Sequence, residues 1–345
     1  MDKIIEQDCL EYLDKIDLSP LKGKTVLITG ANGLIGTYLI SLLHLANTRR
    51  NLGVELIAVS RSAPCEKLRD IFQDRYRFLS VNLAGEDLPA LPCKTDYIIH
   101  GATYAQPGKF LEHHAETIRL NTAVTESLLK LAQRDHAKLL FLSSSEIYGN
   151  PDPAHIPTPE DFPGLCPTDN VRAVYAESKR MGETLCYCYR EFEGVEAKAA
   201  RISMTYGPGV SIRDQRVMGQ FINQALTNQK IEMLDDGSKE RTFCYIADCM
   251  LMLLNILLYG KDFVYNVGGR DRISIRKLAQ EICSLTDSTL VVKPSRERAA
   301  QNIEVSPDRV QLDIGKVCTE FKLETFKPFR EGLARTIAWN RQLLD

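Results

Sequence analysis

Three glycines lie at the junction of the first apolar run of the chain and the first segment with helical periodicity. The run Lys24–Thr29 is short and rich in β-branched residues, and the periodic segment extends from Leu34 to Leu45. A strand, a glycine turn and a helix in this order let the backbone approach a pyrophosphate at the helix N-terminus. The spacing G-x-x-G-x-x-G therefore favours a dinucleotide-binding turn over a turn with only a structural role. The expected cofactor contacts are Gly30, Asn32, Gly33, Leu34, Ile35 and Gly36.

Further apolar runs follow at helix-length intervals. They are Glu55–Ser60, Arg77–Val81, Asp96–Ala102, Lys138–Ser144 and Ala197–Ser203. Continuous apolar runs are typical of strands buried on both faces, as in a parallel sheet. The segments Phe110–Arg134 and Val171–Glu193 are long and amphipathic, so we expect them to be helices that cover this sheet. The predicted fold class is α/β, with a doubly wound parallel sheet.

The length indicates more than one simple core. A chain of 345 residues exceeds the limit of about 250–300 residues for a single growing core. Beyond residues 206–209, which read Tyr-Gly-Pro-Gly, the elements become shorter. We expect a leader at residues 1–20, a dinucleotide-binding domain at 21–203 with returns near 242–267, and a smaller, mainly substrate-binding domain at 204–345.

Charge and cysteine use exclude several classes of partner. With 43 Lys and Arg against 45 Asp and Glu, the net charge of −2 gives no positive field for nucleic acid or an anionic membrane. No apolar run approaches the roughly 18–20 residues of a membrane span, and no histidine pair has metal-ligand spacing. The ten cysteines are scattered, and the acidic amino end lacks the apolar core of a signal peptide. We expect a cytoplasmic protein with reduced thiols and no metal.

The end of the second run bears on the choice of cofactor. An acidic side chain at this place accepts hydrogen bonds from the adenosine ribose in NAD-binding folds. This chain has Ser60 and Arg61 instead. A hydroxyl and a guanidinium can hold a 2′-phosphate, which favours NADP over NAD. The alternative is that Arg61 is a solvated surface residue.

A phenol and an ammonium are placed together by the sequence. Tyr175 and Lys179 are four residues apart and therefore share a face of the predicted helix. A tyrosine with an ordinary pKa near 10 is a poor base at neutral pH, and a nearby Lys⁺ and an oxidised nicotinamide would lower that pKa. The segment Ser143–Gly149 lies at the carboxyl end of an apolar run, where α/β enzymes place ligands.

These motifs together resemble the extended short-chain dehydrogenase/reductase family, specifically its nucleotide-sugar epimerases, dehydratases and decarboxylases. The resemblance covers roughly Leu21 to the chain end. It rests on GANGLIG, HGA at His100–Ala102, Asn121, SSSEIYG, YAESK, TYGPG, DQRVMGQFI at Asp214–Ile222 and DGSKERTFCYIAD at Asp236–Asp248. It implies a Rossmann fold, a nucleotide-sugar substrate, a homodimer, and NAD(P) that is retained and recycled during turnover.

The resemblance also implies roles for single residues. Ser144 holds the sugar 4-hydroxyl beside the Tyr175 base, and Lys179 binds the nicotinamide ribose. By the same resemblance, Arg241 and Arg216 contact the nucleotide phosphates. The remaining implied contacts are Ala102 and Asn121 with the cofactor, which Tyr175 and Lys179 also touch, and Ser145 with the substrate.

Ser145 and Glu146 bear on the reaction. UDP-glucuronate decarboxylases carry Ser-Glu at these positions, and sugar 4,6-dehydratases typically carry Asp-Glu, a paired acid and base. A serine hydroxyl is a much weaker acid than a carboxyl group, so expulsion of a 6-hydroxyl is harder here. We expect a catalytic role for Glu146 and a decarboxylase-like enzyme. The alternatives are a 4,6-dehydratase, an epimerase, or a non-catalytic dinucleotide-binding redox sensor.

Two positions depart from the family pattern. Met204 stands where the family usually has an Asn, and Met cannot replace the hydrogen bonds of an amide. Gly209 stands where the decarboxylases tend to have an arginine.

The two long helices carry more apolar residues than one face against the sheet requires, which is expected of a four-helix dimer contact. Examples are Leu120, Val124, Leu128, Met181, Leu185 and Tyr189.

Overall fold

The apolar runs and periodic segments of the sequence alternate as strands and helices. The computed structural model describes residues 1–73, 76–91, 93–293 and 309–344. Its strands are β1 (Thr25–Thr29), β2 (Glu55–Ser60), β3 (Arg77–Ser80), β4 (Tyr97–His100), β5 (Lys138–Ser144), β6 (Ala197–Ile202), β7 (Thr205–Tyr206), β8 (Lys230–Met233), β9 (Glu240–Thr242), β10 (Cys244–Tyr245), β11 (Val264–Val267), β12 (Arg272–Ser274), β13 (Thr289–Val292) and β14 (Arg309–Val310). Its α-helices are α1 (Lys3–Leu13), α2 (Leu34–Arg50), α3 (Glu66–Arg69), α4 (Pro107–Glu112), α5 (His114–Asn121), α6 (Ala123–Asp135), α7 (Ala173–Glu193), α8 (Val217–Asn228), α9 (Ile246–Tyr259), α10 (Ile275–Thr286), α11 (Gly315–Phe321) and α12 (Phe329–Gln342).

Seven parallel strands form the central sheet, in the order β11-β6-β5-β4-β1-β2-β3. Successive side chains of β1 point to opposite faces, so Val26 and Ile28 enter one apolar core and Leu27 enters the other. Helices α1, α2 and α9 pack together over the first face, and α5, α6 and α7 pack together over the second. The predicted doubly wound α/β fold is confirmed. The strand order reverses between β1 and β4, where such sheets bind ligands.

The single long helix predicted over 110–134 is wrong. The chain instead forms α4, α5 and α6, which are interrupted at His113 and Thr122. The ring of His113 stacks on Tyr104 with centroids 4.4 Å apart. The Thr122 hydroxyl donates to the Ile118 carbonyl at 2.7 Å, a side-chain bond that competes with regular helix geometry. The amphipathic pattern continues through both interruptions, which is why periodicity alone missed them.

The apolar residues expected to be surplus on these helices divide into two groups. Leu120, Val124 and Leu128 are buried in the second core, so the prediction of a surplus is wrong for them. Met181 on α7 is 48% exposed, and Ile118 on α5, which the sequence interpretation did not select, is 45% exposed. Leu185 and Tyr189 are partly buried against the core.

The residues before β1, interpreted as a leader, contribute a packed helix. Ile5, Cys9 and Tyr12 of α1 belong to the first core. The fully buried Asp8 carboxylate accepts hydrogen bonds from Tyr38 at 2.8 Å and Tyr245 at 2.5 Å and is paired with Arg335 of α12. A buried carboxylate requires such partners, and they come from the far end of the chain.

The shorter elements after β6 form small sheets beside the central one. They pair β7 with β10, β8 with β13, and β9 with both β12 and β14. Helix α9 and strand β11 return to the central unit, where α9 contacts α2 and β11 pairs with β6. The domain boundaries inferred from the sequence remain predictions. Within the described ranges, no helix combines the length and apolar character needed to cross a membrane.

Candidate active site

A cavity of about 720 Å³ opens at the carboxyl ends of β1, β4 and β5, beside the point where the strand order reverses. Its lining divides into two parts, named here by their chemistry. The glycine end comprises Gly30, Gly33, Leu34, Ile35 and Gly36, and the charged end comprises Ser144, Ser145, Glu146, Arg172, Tyr175, Arg216 and Arg241. The cavity is large enough for a drug-sized or larger ligand.

The glycine end is shaped by backbone contact. A Cβ added to Gly30 would lie 2.7 Å from the Gly101 carbonyl carbon, and one added to Gly36 would lie 2.5 Å from the Gly30 oxygen. Gly30 also has φ +76°, which favours glycine. Helix α2 begins after Gly33 without a side-chain cap, the amides at the start of a helix have no partner within the helix, and the first-turn residues Leu34, Ile35 and Gly36 line the cavity. These features fit a dinucleotide pyrophosphate.

Two of the predicted cofactor contacts lie behind the loop rather than on the cavity wall. The Asn32 amide donates to the Ala63 carbonyl at 2.9 Å and accepts from the Cys65 N–H at 2.9 Å. The Ala102 N–H donates to the Thr29 hydroxyl at 3.2 Å. Their observed contacts therefore support the shape of the glycine end.

Ser60 and Arg61 lie at the carboxyl end of β2, as predicted, but outside the cavity lining. Arg61 is exposed, and its guanidinium donates to the Tyr104 hydroxyl at 2.7 Å. Tyr104 in turn stacks on His113. Arg61 is therefore a surface residue that is hydrogen-bonded to Tyr104, and it directly follows the strand whose end adjoins the adenosine ribose in this class of fold.

Tyr175 lies on the cavity wall next to Ser144, as predicted. Its ring is buried and stacked on Phe110, with centroids 5.1 Å apart and planes 11° apart. Burial raises the pKa of Tyr175 to about 12. A hydrogen bond with Ser144 and the charge of Arg216 lower that pKa, and the charge of Glu146 raises it. The expected lowering below the ordinary value is not produced by the protein groups alone, because desolvation outweighs them.

Lys179 is buried one turn after Tyr175 and behind the cavity wall. Its Nζ donates to the Leu142 carbonyl at 2.5 Å and lies 6.0 Å from the centre of the Tyr175 ring. Burial lowers the pKa of Lys179 to about 7, and the charge of Glu183 raises it. The predicted shared helix face is confirmed, but the ammonium lies beneath the phenol and does not touch the cavity.

Glu146 lies at the cavity in a short 3₁₀ helix, Ser145–Tyr148, that directly follows β5. The Ser144 hydroxyl accepts from the Glu146 N–H at 3.2 Å. Both carboxylate oxygens accept from Arg172, at 3.2 and 3.0 Å. Sequence reasoning missed Arg172. Its only signal was its position three residues before Tyr175, at the start of α7.

Arg216 and Arg241 enter the cavity from the C-terminal part of the chain. Arg216 pairs with the buried Asp214, and the closest oxygen is 2.5 Å from its Nη2. Arg241 is buried and donates to the Glu240 carbonyl at 2.7 Å. Met204 also lines the cavity, at the position where the family usually has an amide. Together with Arg172, the two arginines bring guanidinium groups to the charged end of the cavity, and such groups can hold phosphates.

Asn121 and His100 are buried and do not line the cavity. The Asn121 amide donates to the Ser178 hydroxyl at 2.9 Å, and its oxygen has no partner among the described residues. Asn121 does not line the cavity. His100 is the first residue of the HGA motif. Its ring contacts the Thr29 hydroxyl at 2.7 Å and the Leu120 carbonyl at 3.0 Å. Burial, aided by the charge of Lys179, lowers the pKa of His100 to about 3, so this imidazole is uncharged.

Sequence comparison assigns this arrangement to a known family. The model of the NAD dependent epimerase/dehydratase family matches residues 26–268. The chain belongs to this family. UDP-glucuronic acid decarboxylase 1 of Danio rerio is 31% identical over 328 residues, which cover 95% of this chain and 75% of that relative. The resemblance seen in the motifs is therefore confirmed.

Solved structures of the family share the fold. The UDP-glucuronic acid 4-epimerase from Bacillus cereus in complex with NAD aligns with a TM-score of 0.74 at 21% identity, covering 92% of this chain and 97% of that one. A dTDP-glucose 4,6-dehydratase from Streptomyces venezuelae with NAD bound aligns with a TM-score of 0.73 at 22% identity and the same coverage. Two different activities have nearly equal scores, so the reaction has to be argued from the site.

Proposed function

We propose that the protein modifies a nucleotide sugar through a 4-keto intermediate and that its reaction is the decarboxylation of a nucleoside diphosphate uronate. The observation that carries the proposal is the arrangement of the charged end: Ser144 and Tyr175 lie together, and Glu146 lies beside them with a serine, Ser145, as its neighbour. The relatedness to a protein named UDP-glucuronic acid decarboxylase supports the same reaction.

The dinucleotide fits at the glycine end, where the amides of the first turn of α2 would hold its pyrophosphate. A nicotinamide cofactor held there would supply the redox chemistry, which is the acceptance of a hydride from sugar C4 and its later return. The arginines opposite, Arg216 and Arg241, would hold the diphosphate of the substrate. With the cofactor held at the glycine end and the substrate diphosphate held at the arginines, the sugar C4 would lie between the two parts of the cavity.

Tyr175 takes the proton of the sugar 4-hydroxyl, and Ser144 orients that hydroxyl. The resulting ketone is β to the carboxylate at C5. Cleavage of the bond between C5 and the carboxylate carbon then releases carbon dioxide and leaves the electron pair in an enolate, which takes a proton at C5. Glu146 either takes part in the proton transfer at C5 or positions the sugar ring. Arg172 holds the Glu146 carboxylate in place.

We also propose that the cofactor is NADP in preference to NAD. The support is the pair Ser60 and Arg61 at the end of β2, with no carboxylate in either residue. Arg61 is exposed and has its hydroxyl partner Tyr104 beside it, so both donors are available to a 2′-phosphate.

A homodimer is the proposed assembly. The support is apolar exposure on the two helices that cover the second face of the sheet, at Ile118 of α5 and Met181 of α7. An isologous contact would bury both. We expect light scattering of the wild type at micromolar concentration to give a dimer, and Met181→Asp to give a monomer. The matched control is Val291→Asp, on the exposed β13, and a wild-type monomer would reject the proposal.

A 4,6-dehydratase is the second candidate, because Glu146 reaches the cavity and can take the C5 proton. The experiment that separates the candidates is turnover of a panel of nucleotide uronates and hexoses, with the products weighed by mass spectrometry. A decarboxylase gives a product lighter by carbon dioxide from a uronate, and a dehydratase gives one lighter by water from a hexose. An epimerase gives a product of unchanged mass, and a redox sensor gives no product.

A further inference from the structure

A buried carboxylate contacts β5, the strand that ends at Ser144, and takes no part in the mechanism above. Glu183 is on α7, one turn after Lys179, and its side chain is 8% exposed. Its Oε1 accepts from the Ser143 hydroxyl at 2.5 Å. Both of its oxygens accept from Arg201 of β6, the closest contact being 2.8 Å. Burial of a carboxylate carries a desolvation penalty, so a buried carboxylate requires such partners.

The contacts of Glu183 hold both ends of the segment that carries the catalytic groups. Ser143 immediately precedes Ser144. Arg201 also donates to the Tyr148 hydroxyl at 2.9 Å, two residues after Glu146. The Tyr148 hydroxyl then donates to Asn266 of β11 at 2.7 Å. Ser144 and Glu146 therefore lie between two anchored residues, and one ion pair supplies both anchors.

Glu183 also faces Lys179 from the next turn of the same helix. The other groups near the Lys179 ammonium, within the part of the chain that the structure describes, carry no negative charge at neutral pH. His100 of β4 is uncharged, burial raises the pKa of the Cys186 thiol on α7, and Tyr175 keeps its proton in the absence of ligand. Glu183 is thus the carboxylate that favours the charged form of Lys179 against burial.

We propose that Glu183 is a positioning residue for the reaction: it fixes the segment between Ser143 and Tyr148 and keeps the Lys179 ammonium charged beneath Tyr175. The inference rests on the proposed roles of Ser144, Tyr175 and Glu146. Glu183 thereby aligns the sugar hydroxyl through Ser144. Through Lys179, it also maintains the positive charge that stabilises a Tyr175 phenolate.

The test is the pH profile of Glu183→Gln in the cofactor-loaded enzyme. Glutamine keeps a hydrogen-bonding oxygen for Ser143 but removes the charge. Lys179 is charged below its pKa, and loss of Glu183 lowers that pKa, so the alkaline limb of kcat moves to lower pH. We expect kcat to fall roughly tenfold more at pH 8 than at pH 6, with KM changed by less than about twofold. A uniform loss at all pH values would overturn the role in charging Lys179.

Two further variants keep the test decisive if Glu183→Gln does not fold. Glu183→Asp retains the charge and should retain the wild-type alkaline limb. Ser143→Ala removes one contact and leaves the pair with Arg201, so kcat should fall without movement of the limb. A displaced limb in Glu183→Asp, or wild-type kcat in Ser143→Ala, would overturn the corresponding half of the proposal.

A measurement without turnover separates this inference from the proposed function. Lysine labelled with ¹⁵N at Nζ reports the titration of Lys179 by NMR, and Lys179→Met identifies its signal. We expect Lys179 to titrate at lower pH in Glu183→Gln than in the wild type. If no nucleotide sugar is turned over but this shift is seen, the proposed function fails and the link between Glu183 and Lys179 stands. An unchanged titration overturns the link.

Discussion

The glycine end of the cavity is built from backbone, and the charged end is built from side chains. At the glycine end, added Cβ atoms on Gly30 and Gly36 would overlap neighbouring main-chain atoms. At the charged end, the contributing groups come from four separate parts of the sequence, near residues 145, 174, 216 and 241. One loop therefore makes the first end, and the tertiary fold has to bring the second together.

This difference bears on how each end responds to substitution. A backbone cradle recognises a pyrophosphate, which every dinucleotide carries. Other side chains that line the cavity, such as Glu146, Arg172 and Met204, can change without disturbing that cradle, and we propose that they face the sugar. The first end should therefore be intolerant of substitution, and the second should govern which sugar reacts and how.

The largest expected effect is at the glycine end. Gly36→Ala places a Cβ 2.5 Å from the Gly30 oxygen and 2.8 Å from the Ala31 Cα, and neither main-chain atom can move away cheaply. We expect loss of measurable dinucleotide binding by calorimetry and a destabilisation of about 1–3 kcal/mol from overpacking. The matched control is Gly108→Ala in α4, where a Cβ meets nothing within 4 Å. Equal binding by both variants would contradict the backbone cradle.

At the charged end, Tyr175→Phe should be the most damaging substitution. It keeps the ring that stacks on Phe110 and removes the proton acceptor. We expect dinucleotide binding to persist and turnover to fall roughly 10²–10⁴-fold, the range for a positioned general base. Tyr187→Phe on the same helix, with an exposed ring, is the control. Near-full activity of Tyr175→Phe would remove Tyr175 from the mechanism.

A smaller loss is expected for Glu146→Gln. A β-keto acid is labile once formed, so carbon dioxide release from a uronate should persist at a rate reduced by up to roughly 10²-fold. A dehydratase would instead stop at the ketosugar, because C5 proton removal is required for loss of water. Glu191→Gln, at an exposed position of α7, controls for the loss of charge. Accumulated ketosugar from a hexose, with no carbon dioxide from any uronate, would move the enzyme to the dehydratase class.

The smallest expected effect is on cofactor preference, because Arg61 is exposed and its contact with a phosphate is partly screened. We expect the wild type to bind NADP more tightly than NAD by roughly tenfold, and Arg61→Ala to bind the two equally. Arg69→Ala, exposed on α3, should keep the preference. Equal wild-type affinities would leave Arg61 as a surface residue held by Tyr104.

The same contrast explains what the sequence could predict. The apolar runs that became β1 to β6 were all found, because a strand buried on both faces leaves a local pattern. The exception is β3, an edge strand that is only partly buried and was found from its short apolar run alone. The glycine loop and the pair Tyr175 and Lys179 were found because each lies within one short segment. The interruptions at His113 and Thr122 were missed, since they depend on individual side-chain contacts within a continuous amphipathic pattern.

The missed site residues have a common physical origin. Arg172 is hydrogen-bonded to Glu146, 26 residues away, and Glu183 is paired with Arg201 on a different element. The partners of Asp8 lie as far away as Arg335. Pairings of this kind are set by tertiary packing and leave no spacing rule in the sequence. Met204 and Gly209 were identified only as departures from a family pattern.

The proposed reaction requires that a 4-keto intermediate forms and is reduced again within one active site. This requirement can be tested with UDP-glucuronate that carries deuterium at C4, with the product analysed by mass spectrometry. We expect a UDP-pentose that is lighter by carbon dioxide and retains the deuterium, because the hydrogen taken from C4 returns to C4 before the cofactor exchanges. A decarboxylated product without deuterium, or recovery of only the unchanged uronate, would contradict it.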